Sequence, residues 1–184
     1  MKRGIEATTT LQVSFEQVRR ALSDDPASVV VDRDAERSTD LDDVDRLRSE
    51  LGVAVGATAF RQAVDIQVGE LRVTDADAVL PLHWRASGRD RLFPVFDGRL
   101  EARPGPAGSG TVLSVIGVYT VPLGPVGRFG DGLIGRRLAR QSLTAFLEDA
   151  AGRIESDVHR RTTSVAWHPS AYSVALREGA SAGD

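Results

Sequence analysis

Apolar and polar side chains alternate from Ile5 to Val13, with Ile5, Ala7, Thr9, Leu11 and Val13 on one face and Glu6, Thr8, Thr10 and Gln12 on the other. A period of two predicts a half-buried strand. Ser14 then stands three residues before Gln17, the spacing of a capping box, and Phe15, Val18 and Leu22 follow at helical intervals up to Asp24-Asp25-Pro26. Pro26 is placed to open a short second helix reaching Val31. The pattern changes over residues 32–50. Asp32, Asp34, Glu36, Asp40, Asp42, Asp43, Asp45 and Glu50 interleave with Arg33, Arg37, Arg46 and Arg48. This predicts a solvated acidic insertion or loop, with a helical turn near Val44 and Leu47.

A series of strands at hairpin spacing comes next. Val53, Val55 and Ala57 form one stripe, and Val64, Ile66 and Val68 form a second, opposed by Ala63, Asp65 and Gln67. Leu80, Leu82, Trp84 and Ala86 share a face, while Val79, Pro81, His83 and Arg85 share the other. Phe96, Gly98, Leu100 and Ala102 lie opposite Val95, Asp97, Arg99 and Glu101. Residues 111–121 are apolar on both faces, which predicts a central, covered strand. Gly69-Glu70, Ser87-Gly88-Arg89-Asp90 and Pro104-Gly105-Pro106-Ala107-Gly108 punctuate the series, so the sheet is expected to be antiparallel. Val121-Pro122-Leu123-Gly124-Pro125 breaks the last strand, and a helical pattern runs from about Val126 to about Val158. Ala139, Leu143, Phe146, Leu147, Ala150 and Ile154 recur at three and four in its second half. Its first half is looser, with Gly127, Gly130, Gly132 and Gly135 among Phe129, Leu133, Ile134 and Leu138. Ser, Thr, Ala and Gly beyond Arg161 predict a disordered tail over 162–184.

The chain length of 184 residues fits one domain, placed at 1–161. A net charge of −3 offers no basic field for nucleic acid. Of the 23 basic residues only Lys2 is lysine. The absence of cysteine excludes disulfides, thiolate metal sites and cysteine nucleophiles. Met1-Lys2-Arg3-Gly4-Ile5-Glu6 lacks the apolar stretch of a signal peptide, and no apolar run is long enough to span a bilayer. A cytoplasmic protein without membrane insertion is expected.

A strand, a helical excursion, antiparallel strands and a long closing helix make an α+β domain. Six Phe, two Trp and two Tyr are few to fill the space between a curved sheet and that helix, so an enclosed pocket is expected. The stretches Leu80-Pro-Leu-His-Trp-Arg-Ala, Leu92-Phe-Pro-Val-Phe-Asp-Gly and Gly117-Val-Tyr-Thr-Val-Pro-Leu-Gly-Pro-Val-Gly-Arg-Phe-Gly-Asp131 resemble the SRPBCC superfamily. That group takes in START-like, polyketide-cyclase-like and birch-pollen-allergen-like domains. The resemblance covers residues 5–158 in element order and about 80–140 in motif. It implies the helix-grip fold, a curved antiparallel sheet wrapped around a long C-terminal helix. It also implies a cavity that takes lipids, sterols, polyketides or plant hormones, with cyclisation or dehydration in some members. The acidic stretch at 32–50 departs from the family pattern, and no catalytic motif carries over residue by residue.

Binding of a small hydrophobic molecule, lipid-like or polyketide-like, is therefore the first expectation. The candidate lining is Trp84, Leu82, Phe96, Tyr119, Leu133 and Leu138, each of which also reads as plain core. Arg136, Arg137 and Arg140 stand near the expected mouth, where they could meet a carboxylate or phosphate or simply form a wet helix face. A cyclase or dehydratase in the same space, and an interaction module without ligand, are the alternatives. Enzymatic acid–base work needs converging titratable groups, and the inward faces offer Tyr119 without a confident partner. His83, His159 and His168 read as surface residues. Asp40, Asp42, Asp43 and Asp45 lack the glycine and bidentate glutamate of a calcium loop. Gly124, Gly127 and Gly130, beside Arg128, could hold an anion, but the G-x-G-x-x-G spacing is absent. No metal or cofactor is expected, and a homodimer stays open. Val165, Trp167, Tyr172 and Leu176 form an apolar set in the tail that could dock on this molecule or a neighbour.

Overall fold

The reciprocal cap expected at Ser14 is present. Its Oγ accepts the Gln17 amide proton at 3.3 Å, and the Gln17 side-chain oxygen accepts the Ser14 amide proton at 2.9 Å, which starts α1 (Phe15–Asp24). Asp25 caps α2 (Pro26–Val30) in the same way, accepting from the Ser28 amide at 3.1 Å, with Pro26 in the first turn. The computed structural model describes residues 2–31, 37–39, 45–55, 58–86, 95–120 and 132–166. Within these, side chains at 37–63, 86, 107, 132–136, 138 and 164–166 are left aside.

The strands are β1 (Lys2–Leu11), β2 (Arg37–Thr39), β3 (Asp45–Val55), β4 (Thr58–Val68), β5 (Arg72–Val73), β6 (Ala78–Ala86), β7 (Val95–Pro104) and β8 (Thr111–Thr120). They form one antiparallel sheet in the order β1-β8-β7-β6-β4-β3-β2, with β5 paired to the start of β6. The turn from β7 to β8 uses a 3-10 segment at Pro106–Gly108 and left-handed backbone at Gly108 and Gly110. A single helix, α3 (Gly132–Ala166), closes the domain; its 35 residues extend roughly 50 Å.

The helix approaches β1 and β8 on one side and β3 on the other. In a flat sheet β1 and β3 would lie about 24 Å apart, twice the width of a helix. Both can touch α3 only if the sheet curls around it. The concave face carries the core. Leu113 and Val115 come from β8, Leu100 and Ala102 from β7, Leu80 and Leu82 from β6, and Val64, Ile66 and Val68 from β4. Leu143, Phe146, Leu147, Ala150 and Ile154 of α3 meet them, as the helical spacing predicts. The helices α1 and α2 brace α3 through Val18, Leu22, Val29 and Val30.

Three expectations change. Residues 45–50 belong to β3, which pairs with β4 along its whole length, and 37–39 form β2, so these parts of the acidic stretch are sheet. The other residues from 32 to 44 lie outside the described residues. The helix continues past Arg161 to Ala166, where Thr162 and Thr163 donate their hydroxyl protons to the carbonyls of Val158 and His159. Finally β8 is internal, between β1 and β7, but its outward Val112, Ile116 and Val118 are half-buried rather than covered by a second layer. Neighbouring strands shade them, which is enough to keep apolar side chains on that face.

Gly152 sits inside α3 with nothing within 4 Å of where a Cβ would stand. Gly152→Ala is expected to stabilise the fold by about 0.5–1 kcal/mol, read as a higher urea midpoint at unchanged slope.

Candidate functional site

Gly98 and Gly117 are register partners on the concave face of the sheet. The Phe96 ring lies over both of them, since a Cβ on either glycine would come within 2.6 Å of its Cζ. Trp84, the register partner of Phe96 on the other side, stacks on that ring with centroids 4.0 Å apart and planes inclined by 17°. From α3, Phe146 leans on Trp84 at 5.2 Å and 42°. The three rings are buried and make one offset stack from sheet to helix.

This stack fills the part of the interior that the two glycines open. The glycines do leave space, but Phe96 occupies it. Beside the stack lies a small void of about 10 Å³ lined by Ile5, Trp84, Phe96, Tyr119, Ala139, Ser142 and Leu143. That is close to the least volume that holds one water. Scarce aromatics fill the centre because three of them converge there.

The void adjoins an open groove of about 420 Å³ along the N-terminal half of β1. Gly4, Ile5, Glu6, Ile116, Gly117, Tyr119 and Arg140 border it. Ile5 and Tyr119 line both spaces and so form the partition between them. Tyr119 is 2% exposed, yet its hydroxyl makes no hydrogen bond among the described residues. Arg140 is exposed and has no ion-pair partner among the described residues.

Of the residues singled out from the sequence, Trp84, Phe96 and Tyr119 meet at the void and Arg140 at the groove. Leu82 is buried on the same face without lining either space. Arg137 is exposed elsewhere on α3. The side chains of Leu133, Leu138 and Arg136 lie outside the described residues, as do Asp40, Asp42, Asp43, Gly124, Gly127, Arg128, Gly130, Asp131, Trp167, His168, Tyr172 and Leu176. His83 is half-buried on the convex face and His159 is exposed on α3. Ile5, Ala139, Ser142 and Leu143 were legible only as core positions or not at all. Ser142 is the instructive case, a buried and engaged polar residue within an apolar helix stripe.

Solved structures of similar architecture include the Zhui aromatase/cyclase of Streptomyces sp. R1128. It is 12% identical, with a TM-score of 0.52 over 88% of this chain and 96% of that one. A conserved protein from Geobacillus kaustophilus gives a TM-score of 0.52 at 14% identity over 85% and 97% of the two chains. Ara h 8.0201 gives 0.50 at 12% identity over 85% and 99%. The chain has the helix-grip fold. No family model matches the sequence, and no curated protein matches it. At these identities the likeness concerns the fold alone. Within this helix-grip chain no described helix is long and apolar enough to cross a membrane.

Two substitutions separate the seat of the stack from its lid. Gly98→Ala would push a methyl group against Phe96 and the Ile116 carbonyl, and a destabilisation of about 1–3 kcal/mol is expected from urea unfolding. Phe146→Ala is expected to destabilise by about 3–5 kcal/mol and to open an apolar cavity that takes up benzene or xenon, visible by crystallography.

Proposed function

We propose that this protein binds a small hydrophobic molecule between the sheet and α3, with the ligand's apolar body against Trp84 and Phe96. One observation carries this reading: the groove and the void share Ile5 and Tyr119, so a path leads from solvent to the aromatic stack across a two-residue partition. A ligand reaching the stack must enlarge the void, to which α3 contributes Ala139, Ser142 and Leu143. Leu82 adds apolar surface on the same concave face in this proposal, and Arg140 stands at the entrance.

Binding is favoured over turnover by the chemistry of the lining. A cyclase or dehydratase needs a group that takes a proton and one that gives it. Among the described residues the void offers Tyr119 as its one titratable side chain, together with stacking surface and the Ser142 hydroxyl. That set orients a molecule rather than moving its protons.

Native mass spectrometry of protein purified from cell extract is expected to show an apolar adduct that organic solvent removes. Readdition at about 100 times the dissociation constant should stabilise the stripped protein by about 2.7 kcal/mol in thermal unfolding. A protein that carries no adduct and shifts with no extract fraction would overturn the reading.

A further inference from the structure

We infer that the ligand of this site carries a carboxylate on an aromatic body, and that the Tyr119 hydroxyl and the Arg140 guanidinium receive that carboxylate. The inference rests on the binding site proposed above and adds the chemical class of its ligand.

A phenol hydroxyl that still touches water keeps a donor that an arriving acceptor can take over from solvent. The Tyr119 ring is buried on the partition between groove and void, while its hydroxyl oxygen keeps contact with solvent at the groove and bonds nothing among the described residues. Its proton is therefore available to an acceptor that arrives through the groove. Arg140 stands at the same groove with its charge uncompensated by any described residue. Arg3, opposite Tyr119 in the β1–β8 register, is by contrast already engaged. Glu6 also borders the groove but projects from the other face of β1 than Ile5, and it forms no ion pair with Arg140. What remains is one neutral donor and one planar cationic donor at the edge of an aromatic surface.

A guanidinium offers several N–H groups and no acceptor, and a phenol can donate one proton. The head group complementary to both accepts only and bears negative charge. A carboxylate has two acceptor oxygens, one for each donor, and charge-assisted bonds of this kind are the strong ones. An aromatic ring attached to it can offset-stack on the edge of the Trp84–Phe96 pair.

The test uses the full chain carrying Trp167→Phe, so that Trp84 is the only tryptophan and its fluorescence reports on the stack. The probes are 2-naphthoic acid and 2-naphthalenemethanol, equal in ring system and different in head group. The acid is expected to bind about tenfold more tightly than the alcohol, the scale of one charge-assisted hydrogen bond. Arg140→Gln, an exposed position that leaves the core untouched, should bring the acid to the alcohol's affinity without changing the alcohol. Tyr119→Phe should weaken the acid about tenfold while the protein unfolds no earlier. Equal binding of the two probes, or an acid preference that survives Arg140→Gln, overturns the carboxylate inference and leaves the hydrophobic site standing. Binding of neither probe, with Trp84 emission unmoved, overturns both.

Discussion

The curl of one sheet around one helix is the constraint from which the rest follows. Because β1 and β3 both reach α3, every strand between them must turn its concave face inward at small radius. Side chains on that face crowd at the centre of the curve. The paired glycines at 98 and 117 relieve the crowding at the one place where a large ring must lie flat on the backbone. Phe96 takes that seat, Trp84 stacks on it across the ladder, and Phe146 carries the stack to the helix. Sheet and helix are thus joined through aromatic contact at mid-length and through aliphatic packing on either side.

The two halves of α3 are held differently. In the second half, Glu155 accepts the Gln12 amide proton at 3.2 Å, and Arg153 reaches the carbonyls of Val29 and Val30 at the end of α2. Arg161 pairs with Asp24 of α1 and with Asp157, and the hydrogen bond to Asp24 raises its pKa further above the ordinary value. These polar ties supplement the packing of Ile154 and Val158. Exposed pairs add little stability singly, but together they fix the register of the helix against α1 and α2. Arg137 and Arg140, in the first half, have no such described partners.

Period-two alternation made β1, β4, β6, β7 and β8 legible, and with them the inward positions of Trp84, Phe96 and Tyr119. The N-cap Ser14 and the first-turn Pro26 placed both short helices. The acidic stretch misled because charge density hid a second alternation: Leu47, Leu51, Val53 and Val55 share a parity, and Leu47 lies opposite the buried Ile66 in the ladder. An internal strand can carry Arg46, Arg48 and Glu50 when its other positions suffice for pairing. The helix end was hidden for a related reason, since Thr162 and Thr163 look like tail composition but bond back to the preceding turn. The aromatic stack was not legible at all. Counting aromatics gives their number, whereas their convergence depends on the register that sets Trp84 opposite Phe96 and Phe96 over Gly98 and Gly117.

A close-packed aromatic stack and a binding site are compatible on energetic grounds. A two-ring ligand that buries roughly 150–200 Å² of apolar surface gains about 4–5 kcal/mol from leaving water. Lifting Phe146 from Trp84 gives back about 1 kcal/mol of that, the worth of one aromatic pair beyond its area. The remainder is about half of what a micromolar complex requires. Apolar contact alone therefore holds such a molecule weakly in this interior, and polar recognition at the partition decides which molecules stay. The Tyr119 hydroxyl, open to the groove beside Arg140 and bonded to no described residue, stands where that second half of the affinity has to come from.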